Sequence, residues 1–115
     1  MDDCIFCRIV RGEIPATIVK RSDDAVAFRD LDPRAPTHVL VIPTRHVAAV
    51  RDAAGADGEL LLGQTLAFAA EVARDLGLDG GGYRIVTNTG PDAGQSVDHL
   101  HLHLLGGRRL AWPPG

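Results

Sequence analysis

The run DHLHLHLLGG, residues 98–107, alternates histidine and leucine with a period of two. That pattern suits a β-strand, whose successive side chains leave on opposite faces, and would be scattered around a helix. The run therefore predicts a strand with Leu100, Leu102 and Leu104 on one face and His99, His101 and His103 on the other. Leucines bury against a core; a row of imidazoles needs a different reason. Same-face neighbours stand roughly 7 Å apart at a rise of about 3.3 Å per residue. That spacing suits a shared cleft better than one metal ion held by all three, although a pair can still bind one. An exposed polar row is the bland alternative.

The rest of the chain has to supply strands to pair with this one. "ATIVKR" and "AVAFRD" are two short strand candidates separated by Ser22, Asp23 and Asp24, which reads as a hairpin. "LDPRAPTHVLVIP" starts as proline-punctuated loop and becomes a β-branched run from His38 to Ile42. From Asp57 to Leu76 the period changes: Leu62, Leu66, Ala69, Ala73 and Leu76 recur at helical spacing, with Gly77 as the C-terminal cap. "YRIVTNT" then returns to period two ahead of a loop rich in Gly, Pro, Asp and Ser. One long helix among short strands predicts an α+β domain over residues 1–115, built on an antiparallel sheet covered on one face.

Charge and composition exclude several classes of partner. At 115 residues, 45% hydrophobic and 23% charged, the chain can build a core without disulfide staples. A net charge of −3 with scattered Lys and Arg gives no electrostatic case for nucleic acid or a membrane surface. No apolar run reaches the roughly 18 residues of a membrane span, and the opening MDDCIFCRIV lacks a signal peptide's layout, so a cytoplasmic location is expected. Two cysteines in that compartment are expected to be reduced or metal-bound.

Asn88 to Ser96, NTGPDAGQS, offers an amide, two glycines and a hydroxyl just before the histidines. Glycines let backbone N–H groups approach an anion, and Ser and Asn add further polar contacts. No Gly-Lys-Ser/Thr follows, so this is not a P-loop. By itself the segment reads as a hairpin turn; beside three histidines it reads as a phosphate cradle. An imidazole with an ordinary pKa near 6.5 is a natural nucleophile and proton shuttle for displacement at phosphorus. Separately, Cys4 and Cys7 in CIFC have the spacing of a metal pair or a redox pair.

HLHLHLL, together with EIPA, LDPRAPTHVLVIPTRH, GYRIVTNTG, AGQSV and GGRRLAWPPG, resembles the histidine triad (HIT) family, in its nucleotide-binding (HINT) branch, along nearly the whole chain. The resemblance implies a HIT-like fold with a short N-terminal helix beside the long one, a homodimer, and hydrolysis of nucleoside 5′-monophosphate derivatives. Adenosine phosphoramidates and adenylyl-lysine are the substrates it implies, with no cofactor needed for the chemistry. His101 matches the nucleophile that forms a nucleotidyl-histidine intermediate, and His99, His103 and His38 match its supporting network. Asn88, Gly94, Gln95 and Ser96 match positions around the phosphate, with Ser96 also a candidate to assist the leaving amine. Asp30 matches the residue that grips the ribose. Phe6, Ile9, Phe28 and Leu31 match the purine pocket, and Trp112 a residue near the partner subunit's site.

Some members of the family with Cys-x-x-Cys bind zinc, and the matching set here is Cys4, Cys7, His46 and His99. His99 thus has two implied roles, relay partner or metal ligand. Two other readings stay open: hydrolysis of dinucleoside polyphosphates, against which the ending WPPG argues, and a zinc-stabilised nucleotide-binding or interaction module with little catalysis.

Overall fold

The computed structural model describes residues 3–115; the first two residues of the expected 1–115 domain lie outside it. A short helix α1 (Ile5–Val10) precedes strands β1 (Ile18–Arg21), β2 (Ala25–Arg29) and β3 (Thr37–Pro43). The long helix α2 (Gly55–Asp75) is followed by β4 (Tyr83–Val86) and β5 (Leu102–Gly106). All five strands form one antiparallel sheet in the order β1-β2-β3-β5-β4. The chain is α+β, with one long helix and a short N-terminal one, as expected.

The expected hairpin is present, and its turn is closed by the Ser22 hydroxyl, which accepts from the backbone N–H groups of Asp24 and Ala25. Helix α2 begins two residues before the expected Asp57 and ends at Asp75. Beyond it, Gly77 N–H donates to the Arg74 carbonyl and Leu78 N–H to the Ala73 carbonyl. This paired arrangement satisfies the last helical carbonyls and turns Leu78 back into the core.

The sheet has two different faces because β2 and β3 alternate different residues. Ala25, Ala27, Val39 and Val41 face α2 and pack against Phe68, Ala69, Val72 and Ala73. The alanines let the helix come close, and burial of Phe68 alone is worth about 1.5–3 kcal/mol. Val26, Phe28, Leu40 and Ile42 point the other way and meet Phe6 and Ile9 of α1. The expectation of a sheet covered on one face is therefore incomplete. The short N-terminal helix covers part of the second face, which explains why β2 is buried from Ala25 to Phe28.

The histidine strand is shorter than its alternation predicts. Leu100 N–H donates to the Val47 carbonyl at 2.6 Å, and β5 joins the ladder only at Leu102. Leu102 and Leu104 do enter the α2 core as expected. Ahead of the ladder, the backbone at His99 bends, and the three imidazoles do not form one uniform row.

Candidate active site and metal centre

Strand register brings His38 and His103 together. His38 pairs directly with Leu105, so His103 lies diagonally across from it, within reach on the same face. His38 Nε2 is 2.9 Å from His103 Nδ1. The backbone decides which nitrogen carries the proton. Arg34 N–H donates to His38 Nδ1 at 3.0 Å, so His38 in its neutral form carries hydrogen on Nε2. That hydrogen is donated to His103 Nδ1, which leaves His103 with an Nε2–H. Burial pushes both rings below the usual histidine pKa, while the Asp30 carboxylate opposes the shift.

His101 is 3% exposed, and its tautomer is set by its own backbone. Nδ1–H donates to the His99 carbonyl at 2.7 Å, so the Nε2 of the neutral ring keeps its lone pair. The ring lies between Phe6 and His103, with centroids 5.2 Å from each. A lone pair on His101 and an N–H on His103 thus adjoin on one face of the sheet.

His99 has turned away from this pair. It is fully buried, and its Nε2–H donates to the Pro43 carbonyl at 3.0 Å, leaving Nδ1 free to ligate. Nδ1 faces Cys4 Sγ at 3.5 Å and Cys7 Sγ at 3.6 Å, while His46 Nδ1 lies 3.3 Å from Cys7 Sγ. The donor atoms of Cys4, Cys7, His46 and His99 all fall within 4.8 Å of one another and can hold a metal ion. Burial lowers the pKa of His99, keeping it in the neutral form a ligand needs, and raises that of the Cys7 thiol. Both cysteines are free thiols.

Beside the imidazoles, an apolar cavity of about 190 Å³ opens between α1 and β2, and Phe6, Ile9, Phe28, Leu31 and Asp30 all line it. Leu31 is 99% exposed, at the rim. Asp30 Oδ1 accepts from the Asp32 N–H at 2.8 Å, and Oδ2 lies 3.4 Å from His38 Nε2. The same cavity also takes in Ile14 and Leu40, which the sequence reading missed. Leu40 was within reach of that reading, since it shares His38's face two residues on.

The glycine-rich loop holds itself in shape. Gly90 and Gly94 adopt positive φ (+82° and +75°), which a side chain would strain. Gln95 Oε1 accepts from Gly90 N–H, and its Nε2 donates to the carbonyls of Ala48 and Val97. Asn88 Nδ2 donates to the Ala93 carbonyl at 2.8 Å. Both amides are thus engaged in bracing the loop. Ser96 is exposed and lines a second cavity of about 430 Å³ with Cys4, His46 and Asp98. Trp112 is 80% exposed near the C-terminal end of the chain.

A five-stranded sheet with two tautomer-locked imidazoles beside an apolar cavity defines a histidine-triad domain. The chain belongs to the HIT family: the model of the HIT domain matches residues 11–110. A purine nucleoside phosphoramidase of Escherichia coli is 45% identical over 109 residues, 95% of this chain and 91% of that protein. A 14 kDa zinc-binding protein of Zea mays is 46% identical over 112 residues, 96% of this chain and 87% of that protein. The crystal structure of a HIT family hydrolase from Legionella pneumophila superposes with a TM-score of 0.94 at 49% identity, covering 98% of this chain and 100% of that one. The fold and these relatives support a hydrolase. No helix among the described residues is long and apolar enough to cross a membrane.

Proposed function

We propose that the protein is a purine nucleoside phosphoramidase whose nucleophile is His101. One observation carries this reading: the 2.7 Å bond from His101 Nδ1–H to the His99 carbonyl, which leaves the Nε2 lone pair available. The lone pair attacks the α-phosphorus of a nucleoside phosphoramidate or adenylyl-lysine. The P–N bond breaks, and the amine departs after taking up a proton, assisted by the Ser96 hydroxyl. Water then attacks phosphorus, loses a proton, and breaks the bond to His101, releasing the nucleoside monophosphate. Splitting one slow displacement into two is the advantage of covalent catalysis.

His103 Nε2–H donates to a phosphoryl oxygen as charge develops there, and His38 keeps that proton on the right nitrogen. We place the loop of Asn88, Gly94, Gln95 and Ser96 around the same oxygens. The Gly94 and Gln95 N–H groups are spent on the Pro91 and Gly90 carbonyls, so these two shape the loop and the exposed Ser96 is the donor that meets the phosphate. Phe6, Ile9, Phe28 and Leu31 enclose the purine, and Asp30 accepts from the ribose hydroxyls. We assign Trp112 to the edge of the partner subunit's site in a cytoplasmic homodimer.

The four-donor cluster suits zinc. Tetrahedral ligands at about 2.3 Å for sulfur and 2.0–2.1 Å for nitrogen stand about 3.6 Å apart, and three of the four sulfur–nitrogen distances here are 3.5, 3.6 and 3.3 Å. The Pro43 carbonyl orients His99 as an outer partner of a bound metal does. Zinc there stabilises the fold and takes no part in the displacement.

A comparative assay tests the function. Wild-type protein should release AMP from an adenosine phosphoramidate and adenylyl-lysine faster than from diadenosine tetraphosphate, and His101→Ala should abolish release while AMP still binds. Near wild-type turnover by His101→Ala would remove the nucleophile assignment. Absence of AMP release from all three compounds would leave only a binding module.

A further inference from the structure

The six residues of α1 are too few for a helix that persists alone. Its place depends on what holds it. Phe6 and Ile9 pack on the second face of the sheet, and Cys4 and Cys7 hold the helix start against His99 and His46. Phe6 lies between the two cysteines in the chain and touches the histidines on both sides of the division in the site. Its ring meets His99 at 5.9 Å and 74°, and His101 at 5.2 Å and 84°. Behind it stands Phe28, at 5.6 Å and 69°.

His101 needs such a neighbour. The final torsion of an imidazole is soft, so the Nδ1 bond fixes a pivot and leaves the ring plane to be set by packing. Phe6 on one side and His103 on the other supply it. A second link runs through His99, whose side chain joins the cluster while its carbonyl holds His101 Nδ1.

We propose that Phe6 is a positioning residue for His101, and that the Cys4–Cys7–His46–His99 cluster sets the nucleophile's orientation through Phe6 and the His99 carbonyl. With the cluster intact, α1 is anchored and Nε2 of His101 points steadily at the phosphate. With it broken, α1 loosens, the ring rocks, and the Nδ1 bond is lost for part of the time. This inference rests on the reading of His101 as nucleophile. Phe6 also lines the apolar cavity, so a simple wall of the base pocket is the competing role.

The test compares Phe6→Leu and Cys4→Ser in the full chain with wild type, the wild type and Phe6→Leu zinc-loaded and Cys4→Ser shown by metal analysis to have lost the ion. Three quantities are read: the imidazole nitrogen NMR shifts of His101, kcat and KM for an adenosine phosphoramidate, and the Kd for AMP. Phe6→Leu should convert His101 from one tautomer to an exchanging mixture and lower kcat about ten- to a hundredfold. Because Phe6 also lines the purine cavity, AMP affinity falls with it, and an unchanged Kd for AMP is expected only in Cys4→Ser. Cys4→Ser, a position outside the apolar cavity, should reproduce the spectral change and the loss of kcat. If Phe6→Leu raises KM and weakens AMP while kcat and the His101 shifts stay put, Phe6 is only a wall and the proposal fails. Unchanged His101 shifts in Cys4→Ser overturn it equally. Should Phe6→Leu not fold, Phe6→Met takes its place under the same criteria. If wild type releases no AMP, the phosphoramidase reading falls, yet the NMR comparison still decides whether the cluster controls His101.

Discussion

His38 Nε2 and His103 Nδ1 are 2.9 Å apart across adjacent strands, and the Arg34 amide on the far side of His38 dictates the direction of that hydrogen bond. A backbone N–H cannot be an acceptor, so the proton order runs one way from Arg34 to His103. His38 is thus a tautomer lock rather than a second base. His38→Ala removes the lock and lets His103 place its proton on either nitrogen. We expect kcat to fall by roughly ten- to a hundredfold, up to the least that a positioned proton donor contributes, because His103 keeps its proton donor and loses only its preferred tautomer. The Kd for AMP should move much less. Equal activity in His38→Ala and wild type would show that His103 keeps its tautomer unaided.

The same buried pair makes stability depend on pH. Burial lowers the pKa of His38 and of His103, so the unfolded chain binds protons at these positions more readily than the folded one. Their contribution is complete above the unfolded value, about 6.5, and is lost as pH falls from there through the lowered folded values. The melting temperature should decline between pH 7 and pH 5, and the decline should be shallower in a His38→Gln/His103→Gln variant. The same slope in the double variant would place the acid sensitivity elsewhere.

How far the site could be read from sequence depends on whether a contact is local. Period two placed Leu102 and Leu104 in the core and His101 and His103 opposite them, because alternation is a property of one strand. Helix α2 and the β1–β2 hairpin were readable for the same reason. His99 broke the pattern, since its fate depends on the Val47 and Pro43 carbonyls, which belong to another segment. Likewise nothing local brings His46 to Cys7, 39 residues earlier; that pairing came from family resemblance. The Arg34 amide that orders the proton relay has no side-chain signature at all.

Gly58 tests a packing constraint that helix propensity would misjudge. In an exposed helix, Gly→Ala gains about 1 kcal/mol. Here a Cβ on Gly58 would stand 2.3 Å from the Ala53 carbonyl carbon and 2.7 Å from its oxygen. Those are backbone atoms, so relief requires moving the loop or the first turn of α2. Overpacking of this kind costs about 1–3 kcal/mol, which outweighs the propensity gain. Gly58→Ala should therefore lower the urea midpoint and the melting temperature. An unchanged or higher midpoint would show that the Ala53 segment yields freely.

Metal removal should expose how much the cluster contributes to the fold. Purified without chelator, the protein is expected to hold about one zinc per chain, since the set of two thiols and two imidazoles matches a closed tetrahedral site. At free metal 100–1,000 times above Kd, binding adds about 3–4 kcal/mol to stability. Chelation should then lower the melting temperature by about 10 °C or more and make both cysteines reactive to alkylation. A melting temperature indifferent to chelator, with thiols equally reactive before and after it, would leave the pair as free thiols that hold no metal.

Asp30, as the proposed ribose contact, should discriminate by sugar. It lines the apolar cavity, one oxygen accepts from the Asp32 amide, and the other lies 3.4 Å from His38 Nε2. A carboxylate has about four acceptor sites, so Asp30 keeps capacity for two ribose hydroxyls. Its charge also opposes the burial effect on His38, and a neutral substitute acts on both functions. The two separate by substrate. Loss of hydroxyl recognition affects AMP and spares 2′,3′-dideoxy-AMP, whereas any change at His38 affects the two alike. For wild type, AMP should bind about 10- to 150-fold more tightly than the dideoxy compound, the equivalent of about 1.5–3 kcal/mol for hydrogen bonds to a charged acceptor. Asp30→Ala should bring the two affinities together by weakening AMP well beyond any change in the dideoxy compound. If Asp30→Ala weakens both equally, the carboxylate acts on the imidazole pair and the ribose is held by something else.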